Sequence, residues 1–187
     1  MAKKYLILAF ALMVGVQLLF PLKMIIEREI IITKGQTFLF KIRPIDPYDA
    51  FRGRYVSINY EENPIYIPES ISDNKEGDEL YVTLKADNMG RVVFDEVYKD
   101  KPTDNDIYLK TNMYGMTYSR FTNIEMWDNR YYMNEYKAPI ADMINLEGYA
   151  QVAVYKGKTV LKGILIEGMP IEKYIDKVLE EQKRIKE

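Results

Sequence analysis

The sequence predicts a mainly β fold, an antiparallel sandwich or partly open barrel, behind one N-terminal transmembrane helix. Two observations lead to this prediction. Short runs rich in Val, Ile, Tyr and Phe recur along the chain and are joined by tight polar turns, which is the pattern of antiparallel hairpins. Residues 5–22 are almost wholly apolar. A short internal helix at residues 137–146 and an amphipathic C-terminal helix at residues 170–186 complete the predicted architecture.

The apolar run at residues 5–22 is interrupted only by Gly15, Gln17 and Pro21. About 20 residues cross a bilayer as a helix, so the run is close to the required length. Three interpretations arise, namely a cleaved signal peptide, an uncleaved anchor and a buried core helix. The end of the run lacks an Ala-x-Ala cleavage pattern, and the segment has no face polar enough for water. We therefore predict an uncleaved anchor in contact with the lipid bilayer.

The chain is thus predicted to have two parts, a membrane anchor at residues 1–23 and a β-rich extracytoplasmic domain at residues 24–187. The two lysines before the apolar run favour a cytoplasmic N-terminus. Lys23 and Arg28 lie close behind the run, so the charge difference across the anchor is small. The predicted location is a single-pass membrane protein with its domain outside the cytoplasm.

The strand predictions follow the alternation of apolar and polar side chains. Strands are predicted at residues 29–33, 37–45, 55–60, 79–86, 91–98, 107–113, 120–127, 131–133, 149–155 and 159–167. Hairpin turns are predicted at residues 34–36, 87–90 and 156–158, because each contains Gly with polar neighbours. Long polar segments predict loops at residues 61–75 and 101–106, and Tyr114-Gly115 is predicted to separate two strands.

The composition excludes several kinds of chemistry. The chain contains no Cys and no His, so disulfides, thiol nucleophiles, imidazole bases and zinc sites of the usual ligands are excluded. The net charge of −2 and the absence of a basic stripe argue against nucleic acid as a partner. No Asp-x-Asp-x-Asp-Gly loop for calcium is present. We predict neither a cofactor nor a metal.

The most distinctive stretch is residues 46–60. Pro47 fixes a turn, which Asp46 and Asp49 cap by accepting backbone hydrogen bonds. Gly53 closes the turn because glycine takes a positive φ at little cost. The strand that follows is predicted to place one set of side chains on a common face, those of Val56, Ile58 and Tyr60.

This stretch resembles the motif of the GDYXXLXY family of membrane-anchored bacterial proteins. The family is named for Gly-Asp-Tyr, two residues, Leu, one residue and Tyr. The matching residues, with Ile in place of Leu and with the upstream Asp-Pro and Arg, are Asp46, Pro47, Arg52, Gly53, Tyr55, Ile58 and Tyr60. Arg54 departs from the pattern by replacing the acidic residue. The resemblance extends from the apolar segment to the late strand at residues 160–168, and it implies an accessory role beside a multi-spanning membrane protein.

Two functions remain open from the residues themselves. The first is a binding or accessory protein in which the motif is structural. An aromatic set has two interpretations, a groove for peptide or glycan and the core and rim of a β-sheet, and the second is favoured because strands attract aromatic residues. The set is Tyr55, Tyr60, Tyr114, Tyr118, Trp127, Tyr131 and Tyr132. We favour this first function, in which the chain is not an enzyme.

The second function is an extracytoplasmic hydrolase acting on peptide or glycan. A Ser–Lys site requires an exposed nucleophile beside a desolvated lysine, and the serines are Ser57, Ser70, Ser72 and Ser119. A glycosidase requires two facing carboxylates, for which the candidates are Asp46 with Asp49 and Asp95 with Glu96. No segment of the Ser-Met-Pro type is present, so the hydrolase is the alternative rather than the main prediction.

Overall fold

The computed structural model describes residues 2–44, 55–61, 65–71, 75–116, 121–124, 129–137, 140–141 and 147–186. The described chain begins with helix α1 (Ala2–Lys34) and ends with helix α2 (Ile171–Lys186). Between them lie a 3₁₀ turn (Glu69–Ile71) and the strands β1 (Gln36–Pro44), β2 (Tyr55–Tyr60), β3 (Ile65–Tyr66), β4 (Glu79–Ala86), β5 (Val92–Tyr98), β6 (Tyr108–Met116), β7 (Phe121–Ile124), β8 (Arg130–Tyr132), β9 (Gly148–Tyr155), β10 (Lys158–Ile166) and β11 (Met169–Pro170).

The strands form two antiparallel sheets. One is a curled half-barrel with the strand order β11-β10-β9-β1-β2-β8, and the other has the order β3-β7-β6-β4-β5. The predicted mainly β class, with a leading apolar helix and a closing helix, is confirmed. The hairpins β4–β5 and β9–β10 lie where the turn residues predicted them.

Backbone hydrogen bonds join the two sheets. The backbone N–H of Leu39 in β1 donates to the carbonyl of Gly90 in the β4–β5 turn at 2.9 Å. The N–H of Gly157 in the β9–β10 turn donates to the carbonyl of Tyr108 in β6 at 3.1 Å. Each sheet therefore satisfies backbone groups of the other, which protects strand edges from pairing with foreign chains.

The largest hydrophobic core among the described residues lies between the sheets, and α2 closes it. The alternation in β2 places its even-numbered residues inward, as the sequence predicted. Helix α2 contributes Ile171 and Ile175, both fully buried, while its opposite face is charged. The other buried members of this core include Phe38, Phe40, Ile42, Val56, Ile58, Tyr60, Val82, Leu84, Leu109, Ala150, Val152, Val154, Ile164 and Ile166.

The prediction of a strand at residues 29–33 is wrong, because these residues form the last turns of α1. Three consecutive isoleucines favour a strand by propensity, but packing overrides that preference. Ile31 is buried against the outer face of the β9–β10 hairpin. The Thr33 hydroxyl donates to the carbonyl of Glu29 at 2.7 Å, which satisfies a polar side chain within the helix. The predicted hairpin at residues 34–36 is accordingly a helix-to-strand junction.

Two further predictions are corrected. The segment predicted as a loop at residues 61–75 contains β3 and the 3₁₀ turn. The break predicted at Tyr114-Gly115 is absent, because β6 continues through it and its pairing with β7 shifts register between Tyr114 and Met116. A register shift of this kind accommodates a glycine within a continuous strand. Of the predicted helix at residues 137–146, Ile140 and Ala141 are helical, and 138–139 and 142–146 lie outside the described residues.

The β4–β5 turn depends on one carboxylate. Asp87 accepts hydrogen bonds at 2.8 Å from the backbone N–H groups of Met89 and Arg91 and at 2.6 Å from the Arg91 side chain. Burial alone would raise the pKa of Asp87, but these hydrogen bonds lower it. The carboxylate therefore stabilises the fold above about pH 4, and this contribution is lost as the pH falls through the lowered pKa.

Replacing Asp87 by alanine is expected to lower the free energy of unfolding, because two backbone donors and a guanidinium lose their acceptor. Chemical denaturation at pH 7 of the chain in detergent measures this loss. The matched control is Asp104→Ala in the loop between β5 and β6, where the carboxylate contacts the hydroxyl of neighbouring Thr103. Equal stability losses for the two variants would contradict the assigned role of Asp87.

Candidate functional site

The described part of the motif belongs mainly to the core. Ile58 and Tyr60 are buried, and the Tyr60 ring meets the Phe40 ring edge-on at a centroid distance of 5.6 Å. These two motif positions therefore have a packing role. The remaining motif residues Asp46, Pro47, Asp49, Arg52 and Gly53, together with Arg54, lie outside the described residues.

Tyr55 is the described motif residue that reaches the surface. Its ring lies 5.7 Å from the ring of Tyr132, and the guanidinium carbon of Arg130 lies 5.2 Å from the Tyr55 ring centroid. Tyr132 is 68% exposed, so the contact faces solvent rather than the core. We call Tyr55, Arg130 and Tyr132 the aromatic corner. A flat aromatic surface beside a cation suits contact with a partner's aromatic, apolar or anionic groups.

The aromatic set, for which a groove was the less favoured interpretation, is divided between different environments. Tyr60 is in the core. Tyr131 turns towards α2, where its hydroxyl donates to Glu172 Oε1 at 2.5 Å. Tyr55 and Tyr132 alone share a surface among the members whose side chains are described. The side chain of Tyr114 and all of Tyr118 and Trp127 lie outside the described residues.

The positions of the described serines do not support a nucleophile of a Ser–Lys site. Ser57 lies inside β2, opposite Arg130 of β8, and so is not on an exposed turn. Ser70 lies in the 3₁₀ turn. Ser72 and Ser119 are outside the described residues.

The two carboxylates proposed as a pair in β5, Asp95 and Glu96, have different partners. Asp95 forms an ion pair with Lys85 at 2.8 Å. The backbone of its neighbour Glu96 exchanges hydrogen bonds with the hydroxyl of Thr83. The register shift between Val82 and Leu84 places both residues opposite Thr83, so they are neighbours at a bulge and do not face each other across a cleft. Among the described residues there is also no cluster of three acidic side chains suited to a metal ion.

The structure shows a second site, a groove of about 530 Å³ beside the end of α1. One wall comes from β4 and β6, and the other from α1 and the start of β10. Its lining side chains are Ile31, Glu79, Lys110, Asn112, Lys158 and Thr159. Sequence reasoning did not find this groove, because its walls come from four elements separated by long stretches of chain. We call it the juxtahelical groove.

Ion pairs hold the charged side chains of the juxtahelical groove. Lys110 Nζ lies 2.5 Å from Glu79 Oε2, and Lys158 Nζ lies 2.8 Å from Glu27 Oε2. The hydrogen bond from Lys110 lowers the pKa of Glu79, and the same contact raises the pKa of Lys110. Lys110 is therefore charged at neutral pH beside Glu79, and Lys158 lies beside the carboxylate of Glu27.

Gly157 forms the floor of the juxtahelical groove. Its φ is 80°, and a Cβ atom there would lie 2.8 Å from Cβ of Lys110 and 2.9 Å from Cε2 of Tyr108. Both the backbone conformation and the close approach require glycine. The absence of a side chain lets the β9–β10 turn lie directly on β6, which fixes the distance between the two walls.

The junction between α1 and the β domain is closely packed. Ile31 packs with Ala153 and Val160 on the outer face of β9–β10. The N–H of Gly35 donates to the Ile31 carbonyl at 2.9 Å, an i→i−4 hydrogen bond at the end of the helix. Together with the Glu27–Lys158 ion pair, these contacts fix the last two turns of α1 against the sheet.

The hydrogen bond from Tyr131 to Glu172 links β8 to α2. It also makes the free energy of unfolding depend on pH in the alkaline range. Burial, followed by this hydrogen bond, raises the pKa of Tyr131. In the unfolded chain a tyrosine ionises near pH 10. The stabilisation is therefore complete below about pH 10 and is lost as the pH rises through the raised pKa of the folded state.

Replacing Tyr131 by phenylalanine is expected to cost about 1 kcal/mol at pH 7, because the half-buried Glu172 loses a donor. The difference in unfolding free energy between the two proteins should shrink as the pH rises above about 10. Tyr132→Phe serves as the control, since its ring is exposed and its neighbours are aromatic. A difference that stays constant up to pH 11 would contradict this interpretation.

These features define a class of protein, a small mainly β domain packed directly onto the end of a long apolar helix. One N-terminal helix is long and apolar enough to span a membrane. The chain belongs to the GDYXXLXY protein family, whose pattern matches residues 17–164. The match includes the later part of α1, all of the motif and both sheets up to β10. Comparisons with curated proteins and with solved structures give no match.

Proposed function

We propose that the protein is a membrane-anchored accessory or binding protein that acts beside an integral membrane partner with several spans. In this proposal α1 crosses the bilayer once and the β domain lies on the extracytoplasmic side. The observation that carries it is the unbroken passage of α1 from a fully exposed apolar segment into close contact with the sheet. The helix is both the anchor and a structural part of the domain.

The dimensions of α1 support this division of roles. Its 33 residues extend over about 50 Å at a rise of about 1.5 Å per residue. The hydrocarbon core of a bilayer is about 30 Å thick, so about 20 Å of helix remains outside it. That length corresponds to the final turns, which hold Glu27 and Ile31 against the β9–β10 hairpin.

The exposed apolar side chains of α1 mark the part in lipid. From Tyr5 to Ile26 the large apolar side chains are exposed, which is unfavourable in water and favourable in a bilayer. The exposed members include Leu6, Leu8, Phe10, Leu12, Leu18, Phe20, Met24, Ile25 and Ile26. Such a helix also offers a surface to the spans of a partner.

The aromatic corner supplies the second contact in this proposal. Tyr55 and Tyr132 lie on β2 and β8, at one end of the strand order of the half-barrel sheet. Tyrosine and arginine are enriched where protein surfaces bind each other. We therefore assign the aromatic corner to contact with the partner's extramembranous segments.

Crosslinking of a tagged chain in intact cells, followed by membrane extraction and mass spectrometry, tests the proposal. One multi-spanning protein should be recovered with the wild-type chain. Tyr132→Ala and Arg130→Gln should each reduce its recovery about tenfold, because they remove the exposed part of the aromatic corner. Tyr98→Ala is the matched control, an exposed tyrosine on the other sheet. Recovery of the tagged chain alone would contradict the proposal.

A further inference from the structure

We propose that α1 binds one transmembrane span of the partner through Gln17, and that this span supplies a hydroxyl or amide side chain at the same depth. The inference rests on the proposed function, because it requires that α1 crosses the bilayer beside an integral membrane partner. It is carried by a polar side chain within the apolar segment, by a proline four residues later, and by the side of α1 on which the β domain packs.

Gln17 lies inside the hydrocarbon layer when α1 spans the membrane. The nearest charged residues along the helix are Lys4, 13 residues before it, and Lys23, six residues after it. At a rise of about 1.5 Å per residue these separations are about 20 Å and about 9 Å. The Gln17 side chain is exposed, and none of the side chains from residue 3 to residue 26 is buried in the protein. The bilayer core offers no water, so this amide needs a hydrogen-bonding partner from another protein chain.

Pro21 adds a second polar group at the same place. It lies inside α1, and proline has no backbone N–H. The carbonyl that loses its usual helical donor is that of Gln17, four residues earlier. Gln17 therefore presents two N–H donors and one oxygen from its side chain and a further acceptor from its backbone. A hydroxyl or amide on a neighbouring span both donates and accepts, so it can satisfy this set, whereas a wholly apolar span cannot.

The β domain packs on the same side of α1 that carries Gln17. Met24 and Ile31 follow Gln17 at intervals of seven residues, and a helix face drifts by only about 20° over each such interval. Ile31 is buried against the β9–β10 hairpin, so the domain extends from this face of the helix. A span bound at Gln17 therefore lies beneath the β domain. The same partner can contact α1 within the membrane and the domain outside it.

A second copy of this chain does not fit beneath the β domain. Copies of one chain share one orientation in the membrane, so the second α1 would run parallel to the first. It would continue as a helix for 11 residues beyond Lys23, about 16 Å, to Lys34. That segment would occupy the space into which the first domain extends. The position instead fits a span that ends near the membrane surface, as the spans of a multi-spanning protein with short loops do.

Photo-crosslinking in intact cells tests which face of α1 meets the partner. A photoreactive phenylalanine analogue is placed at position 13 or position 19 of the tagged full-length chain. Met13 and Leu19 are both exposed, but Met13 shares the face of Gln17 and Leu19 does not. Position 13 should crosslink a multi-spanning protein at least fivefold more than position 19. Sequencing of the crosslinked peptide should identify an apolar span that contains Ser, Thr, Asn or Gln.

Substitutions of Gln17 test the role of its amide. Gln17→Leu should reduce crosslinking from position 13 at least fivefold, whereas Gln17→Asn, which retains an amide, should keep at least half of it. The matched control is the double variant Gln17→Leu with Leu19→Gln, which has the wild-type composition but carries the amide on the opposite face. It should be reduced as much as Gln17→Leu. Pro21→Leu returns a donor to the Gln17 carbonyl and should reduce crosslinking by a smaller factor.

Several outcomes would overturn the inference. They are equal crosslinking from positions 13 and 19, unchanged crosslinking in Gln17→Leu, and full crosslinking in the double variant. A crosslinked dimer of this chain from position 13 would show that a second copy occupies the face. A crosslinked span without a hydroxyl or amide side chain would contradict the proposed chemistry. Carbonate extraction checks that every variant remains in the membrane.

The two proposals fail in different ways. If the wild-type chain recovers no multi-spanning protein by general crosslinking, the proposed function is contradicted and this inference with it. If the wild type and Gln17→Leu recover the same multi-spanning protein equally, the proposed function stands and only the assignment of Gln17 is contradicted.

Discussion

Replacing Tyr60 by alanine is expected to lower the free energy of unfolding by about 3–5 kcal/mol, the usual cost of removing a large aromatic from a core. Tyr60 is 6% exposed and packs edge-on against Phe40. Its loss leaves a cavity where β1 and β2 pair, since Tyr60 is opposite Ile42 in the register. Denaturant titration of the chain in detergent measures the change.

Tyr132→Ala is the control for Tyr60→Ala. Tyr132 is an exposed tyrosine on β8, and its removal should change the unfolding free energy by no more than about 0.5–1 kcal/mol. The two variants should also differ in function, because Tyr132 lies in the aromatic corner and Tyr60 does not. If Tyr60→Ala keeps wild-type stability but no longer recovers the proposed membrane partner, the motif is a binding site rather than a packing element.

Replacing Gly35 by alanine is expected to open the junction between α1 and the sheet. A Cβ atom at this position would lie 2.4 Å from the Ile31 carbonyl oxygen and 2.7 Å from the Val154 carbonyl oxygen. Both neighbours are backbone atoms, so the helix end or β9 must move. Overpacking of this kind costs about 1–3 kcal/mol. The strain should also release Ile31 from its contact with β9–β10.

Limited proteolysis measures the release of α1 from the domain in Gly35→Ala. Cleavage near residues 33–36 should increase at least tenfold relative to the wild type, while the sheets remain protected. Gly163→Ala is the control, because a Cβ atom there would lie 3.4 Å from the Gln151 side chain, which can rotate away. Equal protection of the junction in both variants would show that the helix is not packed as described.

The strands whose side chains alternate in polarity were predictable from the sequence. In β2 the alternation of Val56, Ile58 and Tyr60 with polar neighbours indicated the buried face that the structure shows. The β4–β5 and β9–β10 turns were indicated by glycine and polar residues at fixed spacing. These features depend on local sequence, so local patterns suffice.

The features that the sequence did not predict depend on contacts between distant residues. The isoleucines at residues 30–32 resemble a strand, and their helical state follows from the burial of Ile31 against β9–β10. The juxtahelical groove joins Ile31 to Lys110 and Lys158, which local patterns do not connect. The motif directed attention to residues 46–60. Of its described members, Ile58 and Tyr60 pack in the core. Tyr55 alone among the described motif residues contributes to the aromatic corner.

A distance between the anchor and the domain tests whether α1 passes into the β domain without a flexible joint. The chain has no cysteine, so spin labels can be placed by the double substitution Leu12→Cys and Lys85→Cys. Double electron–electron resonance of this variant in nanodiscs should give one narrow distance distribution. A broad or multiple distribution in the folded protein would contradict the claim and show that the domain moves freely on its anchor.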